Sequence, residues 1–149
     1  MKLSSKIVLA VLVCLAVPAA VVRAQAPPKQ PVTRTPDQMK WVPNPTAPGV
    51  MTAVAWGNPD NGPHGAFHKF TAGFASPLHT HTANTVIVVI SGTMSMTGED
   101  GKEMKFPAGS FYTQPNTYKH VTKCLKGAEC LVFLTADAKW DLLPVEEKK

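Results

Sequence analysis

The sequence has little charge and no long helical pattern. Only 17% of its 149 residues are charged whereas 44% are hydrophobic, a balance that excludes an intrinsically disordered chain. Beyond the first apolar run, at residues 7–22, no stretch approaches the ~18 apolar residues that a membrane-spanning helix needs. No segment has the 3.6-residue period of a long amphipathic helix either. From these absences we expect a soluble globular chain made of short secondary-structure elements.

The first 24 residues have the pattern of a secretion signal. Two lysines precede the apolar run over residues 7–22, and small residues ending at Ala24 offer a signal-peptidase site. We therefore predict cleavage after Ala24 and export to the periplasm or the medium; an uncleaved anchor and a lipoprotein modified at Cys14 are the alternatives. Cleavage leaves 125 residues, the size of one domain, and lowers the formal net charge from +5 to +2. The basic isoelectric point is therefore no sign of nucleic-acid binding.

The mature chain divides into a proline-rich arm, one domain and a charged tail. Residues 25–48 hold seven prolines, which block helix and remove backbone donors, so an extended arm is predicted there. Residues 49–144 are the predicted domain, and residues 145–149 are a solvated tail. The strands predicted from short β-prone runs are residues 50–56, 66–71, 85–91, 93–97, 102–106, 110–114, 118–124 and 130–135. Such a pattern indicates an all-β fold, either an antiparallel sandwich or a small barrel.

Two histidines one residue apart form the first candidate site. In a strand, His79 and His81 would project from the same face, so that both imidazoles could reach one metal ion. Imidazole nitrogens are common ligands of zinc, iron, nickel and copper. Such a pair alone is a weak signal and is more often two surface histidines, so the surrounding sequence decides between the two interpretations.

That surrounding sequence contains two spaced motifs, in which x is any residue. They read Gly73-x5-His79-x-His81-x3-Thr85-x6-Gly92 and Gly109-x5-Pro115-x-Thr117-x2-His120-x3-Cys124. In order and spacing they resemble the two motifs of the cupin superfamily. The resemblance covers residues 50–144 and implies a cupin double-stranded β-helix, which is a jelly-roll barrel. The residues around the motifs are similar to a branch of single-domain bacterial cupins whose function is not established.

Three positions depart from the cupin pattern. Thr85 stands where the family usually has a ligating glutamate, Thr117 replaces a turn glycine, and Cys124 replaces an asparagine. The resemblance still implies a divalent transition metal (Zn, Fe, Ni or Cu) with coordination positions open to water or substrate. The ligands would be His79, His81 and His120. The missing carboxylate leaves a degenerate, metal-free cupin as the alternative.

Three further side chains are candidates for catalytic roles. His68 is expected to face inward from its strand, as a fourth ligand, a base or simply a hydrogen-bonded core histidine. Tyr112 and Gln114 share a parity that points into the barrel in the cupin register, so they could orient substrate or water, or merely pack. His64 is expected to be exposed in the turn before His68. The expected core includes Met94, Met96 and Met104.

Export would leave two cysteines in an oxidising compartment. Cys124 and Cys130 flank five residues that suit a hairpin turn around Gly127, so we predict a disulfide between them. If the turn is shifted, Cys124 faces Leu131 instead. A metal-ligand role for Cys124 is the other alternative.

The predicted function is that of an exported, metal-binding cupin that acts on a small anionic organic molecule as a dioxygenase-like or isomerase-like metalloenzyme. Two alternatives stay open: a non-catalytic module that holds a metal or a metabolite, and a degenerate cupin without metal. The expected partner is a small-molecule ligand or substrate. Neither nucleic acid nor, after signal cleavage, a membrane is expected, and a homodimer is left open.

Overall fold

The computed structural model describes residues 30, 31 and 33–146, so the predicted signal peptide lies outside the described residues. One short 3-10 turn occurs at Pro36–Gln38. The strands are β1 Val42–Pro43, β2 Val50–Gly57, β3 His64–Phe70, β4 His79–Thr80, β5 Thr85–Ser91, β6 Thr93–Gly98, β7 Glu103–Pro107, β8 Phe111–Gln114, β9 His120–Cys124, β10 Cys130–Ala136 and β11 Leu143–Pro144. Within these described residues, no helix has the length and apolar character needed to cross a membrane.

The strands form two antiparallel sheets. The six-stranded sheet has the order β1-β2-β3-β10-β5-β8, and the five-stranded sheet has the order β11-β4-β9-β6-β7. Strands that are distant in the chain lie side by side, as β3 and β10 do, so each sheet is assembled from both ends of the domain. The prediction of an all-β, antiparallel fold is confirmed.

Strand β5 shows how the sequence defines the inside of the domain. Thr85, Ile87 and Val89 are buried, whereas Val86 and Val88 are 44% and 39% exposed. Successive side chains of a strand point to opposite faces, so this continuous apolar run has one face in the core and one face toward solvent. The strand lies between β10 and β8, inside its sheet. The buried core around it includes Met94, Cys124, Cys130, Val132 and Leu134.

The eight longer strands agree with the sequence prediction to within two residues at each end. The three strands that were not predicted, β1, β4 and β11, contain two residues each, which is too short to display alternation. Val42 and Pro43 of the predicted arm pair with Thr52 and Met51 of β2. The end of the arm is therefore part of the six-stranded sheet.

Cys124 and Cys130 are joined by a disulfide, which confirms the predicted pairing. The predicted hairpin around it is wrong, because Cys124 ends β9 in the five-stranded sheet and Cys130 begins β10 in the six-stranded sheet. Each of these strands already has a neighbour on both sides within its own sheet, so the two cannot pair with each other. The bond therefore links the two sheets, with 5.8 Å between the Cα atoms, and it excludes Cys124 as a metal ligand.

Two expectations about burial are wrong. His64 begins β3 and is only 1% exposed, because the ring of Trp140 packs edge-on against it, with 6.3 Å between the ring centroids. Nδ1 of His64 hydrogen-bonds to the carbonyl oxygen of Gly62 at 3.0 Å. Met104 is exposed on the edge strand β7, which has only β6 as a neighbour, whereas Met94 and Met96 are buried as predicted.

Candidate metal centre

Three buried histidines converge between the two sheets. His79 begins β4 and is the direct cross-strand partner of His120 in β9, and His81 follows the end of β4. Their ring centroids are 4.2 Å apart for His79 and His120, 4.8 Å for His79 and His81, and 5.3 Å for His81 and His120. One nitrogen from each ring lies within 4.8 Å of the other two. The residues that the sequence singled out as metal ligands are thus brought together.

Backbone carbonyls define the tautomer of each ring. Nδ1 of His79 donates to the Pro77 oxygen at 2.9 Å, and Nδ1 of His120 donates to the Tyr118 oxygen at 2.9 Å. Nδ1 of His81 donates to the main-chain oxygen of Asp141. A carbonyl oxygen can only accept, so the proton of each neutral ring lies on Nδ1. All three Nε2 atoms therefore carry a lone pair toward the centre, which is the arrangement that metal-ligating histidines use.

Among the described residues, the three Nε2 atoms have no satisfactory partner. Those of His79 and His81 are 3.2 Å apart, and with both protons on Nδ1 this contact sets two lone pairs against each other. Nε2 of His120 is buried without a hydrogen-bond partner. Buried polar atoms are normally paired. A divalent cation among the three atoms would satisfy all of them at once, so these residues fit a transition metal.

Burial also keeps the three rings neutral. It lowers the pKa of His79 to about 4 and that of His120 to about 4, although the carbonyl oxygens that accept from their Nδ1 atoms act in the opposite direction. Burial lowers the pKa of His81 as well, against the opposing effect of Asp141. Neutral imidazole is the form that ligates a metal, so the site is ready for metal at neutral pH.

At the position where the cupin motif usually has a ligating glutamate, this chain has a neutral polar side chain. Thr85 is buried on β5 and is the cross-strand partner of Gln114 on β8. Its hydroxyl donates to the Gln114 Oε1 atom at 3.5 Å, and the Gln114 Nε2 atom donates to the Met96 sulfur at 3.5 Å. Both are long, weak hydrogen bonds. No carboxylate enters the centre at this position.

The chain after β10 returns over the histidines and fixes them. The Asp137 carboxylate accepts from the main-chain and side-chain nitrogens of Asn84 at 2.8 and 2.7 Å. The Asp141 carboxylate accepts from Thr82 at 2.9 and 2.8 Å, while its main-chain oxygen holds His81. The ring of Trp140 lies 4.6 Å from that of His81. No motif marks this segment in the sequence, and its contacts depend on the path of the whole chain, so its role could not be predicted.

A cavity of about 60 Å³ opens beside His79 and His81, and the three candidate catalytic residues line it. His68 is 2% exposed on β3, and burial, reinforced by His64 and His81, lowers its pKa to about 3. It lies inward, as the strand parity predicted. The other lining side chains are mainly apolar, among them Phe70, Phe74, Ile87, Met94, Val132 and Leu134.

Tyr112 and Gln114 line the same cavity from β8. The Tyr112 ring stacks on Phe106 with 4.1 Å between centroids, and burial raises the pKa of its phenol. The phenol is therefore protonated at neutral pH and can donate a hydrogen bond. The structure thus places five of the six sequence-predicted site residues around this cavity, and the sixth, His120, lies against His79 and His81.

Residues 32–148 match a protein-family model described as a domain of unknown function, DUF4437. Among solved structures, the chain is similar to the polyketide cyclase RemF from Streptomyces resistomycificus, with a TM-score of 0.65 and 17% identity over 78% of this chain and 87% of that chain. A comparison with curated proteins finds no match.

Two further solved structures share the fold. An RmlC-like cupin from Ralstonia eutropha has a TM-score of 0.59 and 20% identity, over 70% of this chain and 66% of that chain. KdgF from Halomonas sp. has a TM-score of 0.56 and 19% identity, over 69% of this chain and 92% of that chain. At these identities the likeness shows the fold alone. The resemblance to cupins that the two motifs indicated is confirmed.

Proposed function

The chain belongs to the DUF4437 family, a domain of cupin type, and we propose that it is an exported enzyme that binds one divalent transition metal and acts on a small anionic organic molecule. The observation that carries this proposal is the convergence of three Nε2 lone pairs from His79, His81 and His120. The metal would be Zn, Fe, Ni or Cu, since neutral imidazoles accept each of these.

The charge of the donor set favours an anionic substrate. Three neutral imidazoles leave the full positive charge of a divalent metal uncompensated, and none of the described residues that line the cavity is an aspartate or a glutamate. A bound metal would supply a Lewis acid that attracts an oxyanion or thiolate and lowers the pKa of a bound water. Enolates, thiolates and carboxylates are therefore the expected classes of ligand.

The residues on the opposite side of the cavity would orient that ligand. The protonated phenol of Tyr112 can donate to a ligand oxygen, and the weakly bonded carboxamide of Gln114 can exchange its internal contacts for a ligand. Neutral His68 can accept or donate a hydrogen bond at Nε2, according to its tautomer. The mainly apolar lining would strengthen each of these contacts once a bound ligand has displaced water. A dioxygenase-like or isomerase-like reaction fits this set.

Export is part of the proposal. Cleavage after Ala24 would release the domain into an oxidising compartment, where a disulfide such as Cys124–Cys130 persists. Intact-mass analysis of the secreted protein tests this point. A mass that retains residues 1–24 would contradict it.

The metal site is tested by metal content and affinity. We expect one divalent metal per chain in the wild type, and a loss of affinity of about 100-fold or more in His120→Ala, because two imidazoles form a poor site. His64→Gln is the matched control, since His64 is as deeply buried as His120 but is not part of the cluster. A wild-type protein that binds no divalent metal would overturn the proposal.

A non-catalytic binding module is the second candidate, and one observation favours it. Gln114 and Tyr112 contact Met96 and Phe106, so both can serve as packing side chains without a catalytic role, and the cavity would then act as a receptor. Oxygen consumption and product analysis with the metal-loaded protein and a panel of thiols and enols separate the two candidates. Turnover that His79→Ala abolishes supports the enzyme, whereas ligand binding without turnover supports the module.

A further inference from the structure

Two buried nitrogen atoms outside the histidine cluster have no hydrogen-bond partner. They are Nε2 of His68 and Nε1 of Trp140, and Nε2 of His120 is the third such atom among the described residues. A buried donor or acceptor that is left unpaired destabilises the folded protein. The atom on His120 is explained by the metal centre. The other two require a separate explanation.

The two side chains lie at the junction of two cavities. Both line the small cavity beside His79 and His81, and both line a neighbouring cavity of about 290 Å³. The larger cavity is bounded by residues 42–46 of the arm, by residues of β2 and β3, and by Pro59, Asp60 and Asp141. The ring centroids of His68 and Trp140 are 5.4 Å apart. A ligand that extends from the metal centre into the larger cavity would pass both rings.

The two nitrogens offer complementary hydrogen bonding. The indole Nε1 of Trp140 can only donate. Nδ1 of His68 bonds to the hydroxyl of Thr52 at 3.2 Å, and a hydroxyl can donate or accept, so Nε2 of His68 can take either role. A carbonyl oxygen could accept from both rings, whereas a hydroxyl group could accept from the indole and donate to the imidazole. The main-chain nitrogen of Trp140 is held by the Pro59 oxygen at 2.7 Å, which fixes the residue in place.

We propose that His68 and Trp140 form a second binding subsite, which holds a hydroxyl or carbonyl oxygen of a mainly apolar substrate. The anionic end of that substrate binds at the three-histidine centre, and its remainder occupies the larger cavity beneath the arm. The position of the anionic end rests on the proposed function, but the oxygen subsite itself does not need a metal. The substrate class is therefore an apolar, for example aromatic, acid or enol that carries a further oxygen.

The subsite is tested first on the metal-free wild type. Phenol and fluorobenzene are matched probes of similar size, and only phenol carries a hydroxyl. In ¹H–¹⁵N spectra we expect phenol to move the indole N–H signal of Trp140 downfield, with Trp41 and Trp56 as internal references. Trp140→Phe assigns the signal. A Trp140 signal that responds equally to both probes would overturn the subsite.

The second test uses zinc-loaded protein and calorimetry with benzoate and its 3- and 4-hydroxy derivatives. One additional hydrogen bond should make at least one hydroxybenzoate bind about fivefold more tightly than benzoate. Trp140→Phe and His68→Phe should abolish this preference while both variants retain zinc. A preference that persists unchanged in both variants, or that is absent from the wild type, would overturn the subsite. If the wild type does not bind zinc, the proposed function fails, and the phenol response of the metal-free protein still decides the subsite.

Discussion

The two sheets hold their polar side chains around the cavity in different ways. On the side of the five-stranded sheet, His79, His81 and His120 are each held by a main-chain carbonyl oxygen. On the side of the six-stranded sheet, Thr85 and Gln114 are linked by a 3.5 Å contact, and Gln114 reaches a sulfur at 3.5 Å. The first side is held by main-chain hydrogen bonds, whereas the second can rearrange at little cost.

This difference suggests that the two sheets have separate roles. Backbone-held rings present the same three lone pairs whatever ligand is present, which suits a site of defined metal geometry. Side chains with long internal contacts can exchange them for a ligand, since such hydrogen bonds contribute little to stability. Metal binding should therefore depend on the five-stranded sheet, and ligand selection on the six-stranded sheet. Changes that affect one sheet alone should separate the two properties.

The largest effect is expected from the covalent link between the sheets. Replacing both cysteines by alanine in Cys124→Ala/Cys130→Ala should lower the free energy of unfolding by about 2 kcal/mol, because the unfolded chain regains the freedom of the closed loop. Metal affinity should change by less than about threefold, since the disulfide lies outside the histidine cluster. Denaturant unfolding and metal titration measure the two quantities.

Wild-type protein unfolded in the presence of a reductant is the control for this variant. It should show the same loss of stability, because it lacks the same bond without a change of side chain. A loss confined to the variant would indicate altered packing in the core instead. A large fall in metal affinity in both samples would show that the two sheets do not act separately.

The sequence predicted the motif residues around the cavity better than the contacts made by the chain after β10. His79 and His120 could be located because motif spacing and strand parity determine which residues share a face. The roles of Trp140 and Asp141 could not be predicted, since they arise only when the chain after β10 folds back over the histidines. His64 was expected to be exposed for the same reason, because the ring that covers it is 76 residues away in the sequence.

A smaller effect is expected from moving a ligand onto the six-stranded sheet. Thr85→Glu should restore the carboxylate that cupins usually have and tighten metal binding by about tenfold, because a charged ligand offsets the metal charge. For the same reason it should weaken the response of a cobalt-loaded protein to azide. Metal titration and visible spectra measure both effects. Thr85→Ala should retain most of the metal, since Thr85 is assigned no direct bond.

The neutral variant Thr85→Gln is the control for charge, because it matches glutamate in size. It should reproduce neither the tighter metal binding nor the weaker azide response. If anions bound better to Thr85→Glu than to the wild type, the electrostatic argument for an anionic substrate would fail. If Thr85→Ala released the metal, Thr85 would itself have to hold it.

The smallest effect concerns the backbone that supports the five-stranded side. Thr117 is the one described non-glycine residue with a positive φ, 61°, and its N–H donates to the His81 main-chain oxygen at 2.9 Å. A β-branched residue is strained in this conformation, which glycine adopts freely. Thr117→Gly should therefore raise the free energy of unfolding by about 1 kcal/mol, after the greater entropy of glycine in the unfolded chain is deducted.

Metal affinity should not change in Thr117→Gly, because glycine retains the N–H that bonds to His81. Thr117→Ala is the matched control: it removes the hydroxyl and the methyl group but keeps the Cβ atom, and most of the strain with it. If Thr117→Ala raised the free energy of unfolding as much as Thr117→Gly does, the effect would come from the side chain and not from the backbone. A fall in metal affinity in Thr117→Gly alone would mean that the strained backbone helps to hold the histidines, so that the rigidity of this side costs stability.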